Sequence, residues 1–144
     1  MSYTYQYPRP SVTADIVLLN CEETEVLLVQ RGNDPYKGTW AFPGGFFDME
    51  DYDILHTAIR ELEEETGLKD IPLKEVCSAS RAGRDPRGRT ITIVFKGYVD
   101  PKNINPKADD DAAEAKWWPL NDLPELAFDH QEILEKVIKN IDNE

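Results

Sequence analysis

The chain has 144 residues, and 28 acidic side chains against 16 lysines and arginines give it a formal net charge of −12. Nucleic acids and anionic membranes are bound through clustered basic groups that offset phosphate charge, so this balance argues against both as partners. A small phosphate compound remains compatible with the charge if divalent cations bridge it to the acids.

The length is typical of one domain with a sizeable core, and we expect a single domain over residues 1–144. Cys21 and Cys77 are too few for a disulfide framework, and neither lies in a metal-ligand spacing. Free thiols favour a reducing compartment. The sequence shows no apolar run of membrane-spanning length and no signal peptide, so we expect a cytoplasmic protein.

The predicted elements follow in chain order. Pro8 and Pro10 predict an extended conformation for the first ten residues. Alternating apolar residues and β-branched content predict strands at 12–19, 25–31, a short stretch from Trp40, 73–80, 90–99 and 115–118. Gly44–Gly45 is predicted to form a turn, and the segments 81–89 and 100–111 are predicted to be loops. A last helix is predicted over 131–141.

The helix that ends before Gly67 carries the most informative pattern. Apolar residues at i, i+3, i+4 and i+7 predict a buried face made of Leu55, Ala58, Ile59 and Leu62. Asp53 or Asp51 can cap the start of this helix, and Gly67 suits the left-handed residue that ends it. Strands on both sides of this helix, with a terminal helix, predict an α+β protein in which helices sandwich a mixed sheet.

Glu61, Glu64 and Glu65 lie on a face of this helix next to the predicted core. Like charges three or four residues apart weaken a helix, unless a hard cation such as magnesium lies among the oxygens. The ordinary alternative is a solvated acidic face. The Gly44–Gly45 pair upstream, which allows backbone to approach a ligand closely, favours a metal site.

The run Arg60–Leu68, RELEEETGL, resembles the second half of the Nudix box, and Gly44–Gly45 resembles its start. The family pattern places thirteen residues between the box glycine and its arginine, whereas fourteen residues separate Gly45 from Arg60 here. Counting from either end puts the box glutamate at Asp51 or at Tyr52. Glu50 and Asp51 are therefore the two candidates to replace it. The resemblance implies the Nudix α/β/α sandwich.

Four arginines lie between the two predicted strands of the second half, at positions 81, 84, 87 and 89. Guanidinium groups match phosphate oxygens bidentately, so Arg81, Arg84 and Arg87 are candidates for substrate binding. The alternative is a solvated loop whose arginines pair with surplus acids. The Arg-Asp-Pro-Arg-Gly run resembles the corresponding loop of ADP-ribose-type Nudix proteins, which favours the functional reading.

Two further segments contain candidate residues. Asp111 or Glu114, ahead of the predicted strand at 115–118, could supply an additional acid as a metal ligand or general base, as could Asp51. Phe128 precedes the terminal helix in a Phe-Asp-His run that is similar to one in the ADP-ribose-linked branch. Capping by Asp129 explains this run equally well. Trp40 is the tryptophan we expect to border the substrate.

The resemblance implies a mechanism. Glu61, Glu64, Glu65 and the carbonyl of Gly44 would hold Mg²⁺, with Mn²⁺ as the alternative, and Arg60 would orient the acids. A water activated by the metal would attack one phosphorus of a nucleotide diphosphate substrate and release a nucleoside monophosphate. For ADP-ribose, the products implied are AMP and ribose 5-phosphate.

Two alternatives stay open at this stage. One is a nucleoside triphosphate pyrophosphohydrolase of the housecleaning type, and the arginine loop and the Phe-Asp-His run speak against it. The other is a non-catalytic ADP-ribose sensor, which would be expected to lose glutamates that are all present here. A homodimer is a further expectation, because related pyrophosphatases are often dimers and the aromatic N-terminus could pack on a partner.

Overall fold

The computed structural model describes residues 2–103 and 112–142. The strands are β1 (Ser11–Leu19), β2 (Glu25–Arg31), β3 (Trp40–Ala41), β4 (Gly44–Phe46), β5 (Lys74–Ala79), β6 (Thr90–Tyr98) and β7 (Ala112–Pro119). The helices are α1 (Ile54–Thr66) and α2 (His130–Asp142), and a 3-10 turn covers Pro101–Asn103. The predicted ends of most of these elements agree with the observed ends to within two or three residues. The predicted acid Asp111 lies outside the described residues.

The strand β1 is the centre of a mixed sheet with the order β3-β2-β1-β6-β5. It runs parallel to β6 in a continuous register, and β5 is antiparallel to β6. By contrast, β1 and β2 are paired only near Leu19 and Val26, and β7 pairs along the length of β2. The two strands therefore diverge away from this point, which leaves room for a cleft.

One sequence prediction is corrected in this region. Gly44–Gly45 was predicted to form a turn, but both residues belong to β4, which pairs antiparallel with Thr13–Asp15 of β1. An alanine Cβ at Gly44 would overlap the carbonyl oxygen of Ala14. Glycine is thus needed because β4 lies unusually close to β1, and not because the chain turns.

The two faces of β1 define two core layers. Ala14, Ile16 and Leu18 pack with Ala58 and Leu62 of α1. The alternate residues, Val17 and Leu19, pack with a second set that includes Ile133, Leu134 and Val137 of α2. Because successive side chains of a strand point to opposite faces, one helix covers each side of the sheet. The predicted α/β/α sandwich is confirmed.

The buried face of α1 differs from the prediction. Leu55 and Ile59 are 37% and 44% exposed. The buried residues of the helix are Thr57, Ala58, Leu62 and Thr66. The two threonines can be buried because their hydroxyls are satisfied, by the Asp51 carboxylate and by the carbonyl of Leu62 respectively. Ala58 and Leu62 were therefore predicted correctly. The prediction of Leu55 and Ile59 was wrong, because apolar spacing takes no account of polar residues that are buried.

Both ends of α1 follow the predicted capping chemistry. The Asp53 carboxylate accepts a hydrogen bond from the His56 N–H at 2.9 Å. Gly67 has a φ of 78°, and its N–H donates to the carbonyl of Glu63 at 2.8 Å. Among the described residues, no helix is both long enough and apolar enough to cross a membrane.

Replacing the N-cap of α1 tests this description. Asp53→Ala removes the side-chain acceptor and should lower the free energy of unfolding by about 1 kcal/mol. Asp53→Ser keeps an acceptor and should stay close to the wild type. Urea unfolding followed by circular dichroism measures both. Equal losses in the two variants would contradict the capping role.

Candidate active site

A cleft of about 540 Å³ opens where β1 and β2 diverge. Its wall comes from β1, β2, β4, α1, the loop 80–89 between β5 and β6, and the segment before α2. This volume lies within the range of small-molecule binding sites in proteins. The lining of the cleft includes Asp15, Gly44, Glu61, Glu65, Arg87 and Phe128.

The glycines of β4 bring this strand against the acidic face of α1. A Cβ on Gly45 would overlap the carboxylate of Glu61, and the N–H of Gly44 donates to Oε2 of Glu65 at 3.3 Å. Any larger residue at position 45 would displace Glu61. The two carboxylates and the backbone of Gly44 therefore meet at one end of the cleft.

Burial gives these two carboxylates unusual electrostatics. Burial raises the pKa of Glu65 well above its usual range, and the nearby charge of Glu61 adds to the effect. Burial also raises the pKa of Glu61, although Arg60 partly offsets this. Two ionised carboxylates in a poorly solvated place repel each other, and a divalent cation would remove that penalty.

Arg60 holds the acids of α1 in place. Its Nε and Nη2 donate to both oxygens of Asp51 at 2.9 and 2.8 Å. Its Nη1 donates to Glu61 at 2.7 Å and to Glu64 at 3.3 Å. The hydrogen bonds from Arg60 hold the pKa of Asp51 well below its usual range.

Of the candidates for the box glutamate, Asp51 is therefore the one that Arg60 binds. Tyr52, the other position that counting allows, is 90% exposed. Asp51 was also predicted as an additional acid for the chemistry, but its carboxylate is engaged by Arg60 and Thr57.

The other described acids predicted for the site, Glu64 and Glu114, do not line the cleft. Glu64 is partly exposed, is bound by Arg60, and does not line the cleft. Glu114 lies on β7 opposite Gln30 and is likewise outside the cleft wall. Within residues 2–103 and 112–142, no three acidic, histidine or cysteine side chains form a ready-made metal cluster. Glu61 and Glu64 both accept hydrogen bonds from Nη1 of Arg60.

Arg81, Arg84 and Arg87 of the loop 80–89 are each paired with an acid, which is the alternative that the charge balance suggested. Arg81 is exposed, binds Glu132 of α2 and does not reach the cleft. Arg84 is buried and donates two hydrogen bonds to Asp129 at 3.0 and 2.8 Å. Arg87 binds its neighbour Asp85 and lines the cleft.

Two aromatic residues were assigned to the substrate from the sequence, and the structure separates them. Trp40 is 9% exposed and belongs to the core, where its ring packs edge-on against Trp118 at 5.1 Å. It does not line the cleft, so this expectation is corrected. Its strand, β3, directs the side chain into the layer beneath α2.

Phe128, by contrast, is in the wall of the cleft. It adopts a left-handed backbone conformation with a φ of 53°. The guanidinium carbons of Arg31 and Arg87 lie 5.0 and 5.4 Å from its ring centroid. Arg87 also lies 4.9 Å from the ring of Phe46. Cations and aromatic faces thus alternate along this wall, an arrangement that suits a flat, anionic ligand.

A buried polar group on the floor of the cleft was missed by sequence reasoning. Thr92 donates to Oδ2 of Asp15 at 2.6 Å, and Nε2 of His130 lies 3.6 Å from the same oxygen. The N–H of Phe42 donates to Nδ1 of His130. Burial would raise the pKa of Asp15, but His130 and Thr92 together lower it. The available signal was a lone acid within an apolar strand, Val12–Leu19.

Comparison with known proteins agrees with this geometry. The profile of the NUDIX domain matches residues 9–140. The chain is 40% identical to a protein named ADP-ribose pyrophosphatase from Methanocaldococcus jannaschii, covering 92% of this chain and 76% of that protein. It is 33% identical to the ADPR responsive transcriptional repressor NtrR of Acinetobacter baylyi, covering 95% of this chain and 56% of the repressor.

A solved structure is also similar to this chain. The NUDIX domain of Shewanella oneidensis NrtR, crystallised with ADP ribose, superimposes with a TM-score of 0.86 at 30% identity. The match covers 94% of this chain and 90% of that one. The chain therefore belongs to the Nudix family.

The two glycines of β4 should differ in what they tolerate. Gly44→Ala should cost about 2 kcal/mol of unfolding free energy, because its Cβ would overlap the backbone of Ala14. Gly45→Ala should cost less, since the Glu61 side chain can rotate away. Chemical denaturation measures both, and a Gly45→Ala loss as large as that of Gly44→Ala would contradict the assigned contacts.

The raised pKa values of Glu61 and Glu65 predict how stability varies with pH when EDTA removes metal ions. A carboxyl whose pKa is raised by folding stabilises the fold fully below its unfolded value, near 4.5, and this contribution is lost as the pH rises through the folded value. The free energy of unfolding of Glu65→Gln should therefore fall less than that of the wild type above pH 4.5.

Glu63→Gln is the matched control, because Glu63 lies on the same helix, is exposed and pairs with Lys69. Its pH dependence should follow the wild type. Denaturation curves at several pH values compare the three proteins. Parallel curves for Glu65→Gln and the wild type would argue against a raised pKa at Glu65.

Proposed function

We propose that this chain is a metal-dependent Nudix hydrolase that cleaves a nucleoside diphosphate linked to another moiety. ADP-ribose is the substrate we propose, with AMP and ribose 5-phosphate as products. The observation that carries the proposal is the pair of half-buried carboxylates, Glu61 and Glu65, packed against the Gly44–Gly45 backbone in a cleft of suitable size. The 40% identity to a protein named ADP-ribose pyrophosphatase supports the choice of substrate.

The residues present fit a hard divalent cation. Glu61 and Glu65 offer carboxylate oxygens whose mutual repulsion a cation would relieve, and the backbone of Gly44 adjoins them. Rotation of Glu64 away from Arg60 would add a third carboxylate. Such an all-oxygen set suits Mg²⁺, and also Mn²⁺. When bound, the cation would offset the charge of the diphosphate and lower the pKa of a water molecule.

The protein residues have separate roles in this proposal. Glu61 and Glu65 hold the cation, and a carboxylate among the α1 acids accepts the proton of the attacking water. Arg60 orients Glu61 and Glu64, and Asp51 holds Arg60 in place by accepting two hydrogen bonds from it. Asp51 is thus proposed as an anchor and not as an acid in the reaction. Glu114 is given no role, because it does not line the cleft.

The opposite wall would bind the rest of the substrate. Arg87 is only partly occupied by Asp85 and is 40% exposed at its side chain, so it can turn towards a phosphate. Arg84 uses Nε and Nη2 to bind Asp129, and Nη1 is left for the ligand. Phe128 and Phe46 offer ring faces on which a nucleobase can stack. Arg81 is not included, because it binds Glu132 of α2 and does not line the cleft.

A second candidate is a non-catalytic ADP-ribose sensor. The similarity to a protein named as an ADPR responsive repressor, and to a NUDIX domain crystallised with ADP ribose, favours it. The loop before α1, which is one residue longer than in the family pattern, also favours a sensor. The retained Arg60, Glu61, Glu64 and Glu65 favour the enzyme, because binding alone does not require this costly cluster of acids.

The decisive experiment is hydrolysis of ADP-ribose in Mg²⁺, detected by releasing phosphate from the products with a phosphatase. A panel of nucleoside triphosphates and dinucleotides is measured beside it. Glu64→Gln and Glu65→Gln should each lower kcat by about 100-fold or more, since each removes a carboxylate from the chemistry. Glu63→Gln, the exposed neighbour, should retain wild-type kcat.

Each outcome distinguishes the candidates. Turnover of ADP-ribose that both variants lose supports the enzyme. Binding of ADP-ribose by calorimetry without turnover of any compound would favour the sensor. Faster turnover of a nucleoside triphosphate than of ADP-ribose would instead identify the housecleaning type. Full activity of Glu65→Gln would contradict the proposed metal site.

A further inference from the structure

We infer that Asp15 determines which substrates the cleft accepts: its carboxylate accepts a hydrogen bond from a hydroxyl of the sugar joined to the diphosphate, and repels a terminal phosphate at the same place. This inference rests on the proposed function, and it adds a specificity residue that lies outside the acidic helix. It concerns the choice between a diphosphate-linked sugar and a nucleoside triphosphate.

The position of Asp15 supports this role. It lies in β1 directly opposite Gly44 of β4, next to the end of the cleft where Glu65 is found. Its side chain is 11% exposed and lines the cleft. A ligand whose diphosphate lies by Glu61 and Glu65 must therefore place its adjoining group near this carboxylate.

The carboxylate is held in one orientation by two elements. Thr92 of β6 donates to Oδ2, and His130 of α2 approaches the same oxygen. Oδ1 lies beside the backbone of Gly44, since a Cβ at Gly44 would be 2.5 Å from it. A fixed acceptor loses little conformational entropy when a ligand binds, so it can discriminate between ligands more sharply than a mobile side chain.

The chemistry of the group explains the direction of the preference. An ionised carboxylate accepts hydrogen bonds and cannot donate them, so a sugar hydroxyl satisfies it whereas a phosphate oxygen does not. In a partly buried place the repulsion between a carboxylate and a phosphate is weakly screened. Of the four arginines that line the cleft, Arg31 and Arg87 lie around the Phe128 ring, while Arg84 is near enough for its charge to act on Asp15.

The test compares kcat and KM for ADP-ribose and for ATP in the wild type and in Asp15→Asn. In the wild type, the Thr92 hydroxyl donates to Oδ2 of Asp15. In Asp15→Asn the amide oxygen should therefore take the place of Oδ2, and the NH₂ group should face the ligand. The ratio of kcat/KM for ADP-ribose to that for ATP should fall at least tenfold. The change for ADP-ribose should arise mainly in KM.

Two further variants separate specificity from structure. Thr92→Val removes one bond that orients Asp15 but keeps the charge of the carboxylate, so the substrate ratio should fall less than it does in Asp15→Asn. Asp70→Asn makes the same chemical change at an exposed residue after α1, and the ratio should not move. If Thr92→Val lowers the ratio as much as Asp15→Asn, the role of Asp15 is structural and the inference is overturned.

Failure of the inference can be told apart from failure of the proposed function. A wild type that hydrolyses ADP-ribose, with an Asp15→Asn ratio within threefold of it, overturns the inference alone. If the wild type hydrolyses neither compound, calorimetric Kd values for ADP-ribose and ATP in EDTA replace the kinetic ratio and should change by the same factor. A wild type that binds neither compound overturns both proposals.

Discussion

The close approach of β4 to α1 is the constraint on which the cleft depends. Gly45 lies against the carboxylate of Glu61, and a side chain there would occupy the space of that carboxylate. Gly44 is constrained more tightly, on its other side, by the backbone of β1. Because β4 fits between the strand and the helix, β2 is excluded from that edge of β1, and the gap between β1 and β2 becomes the cleft.

The charges of the cleft explain how an acidic protein can take an anionic substrate. The overall charge is −12, yet Glu61 and Glu65 have raised pKa values, and Asp51 is bound by Arg60. Both states limit the negative field that a diphosphate would meet. The half-buried pair in turn creates a place where a divalent cation is favourable.

The two helices contribute different chemistry from opposite sides of the sheet. The acids of α1 reach the cleft beside β4, while the N-terminal end of α2 brings His130 to the cleft floor and, just before it, Asp129 to Arg84. Arg84 connects that end of α2 to the loop before β6 through a buried, bidentate ion pair. Such a pair contributes more to the position of the loop than to net stability, because desolvation offsets much of its Coulomb energy.

The sequence by itself determined the elements, the sandwich and the acids of α1, because apolar periodicity, capping residues and the Nudix box are all local patterns. Only the tertiary structure decided which residues meet in the cleft. It brought Asp15 to His130 from opposite ends of the chain, placed Trp40 in the core, and directed Arg81 to Glu132 outside the cleft. These outcomes depend on strand order and on competition among nearby acids, which no window of sequence contains.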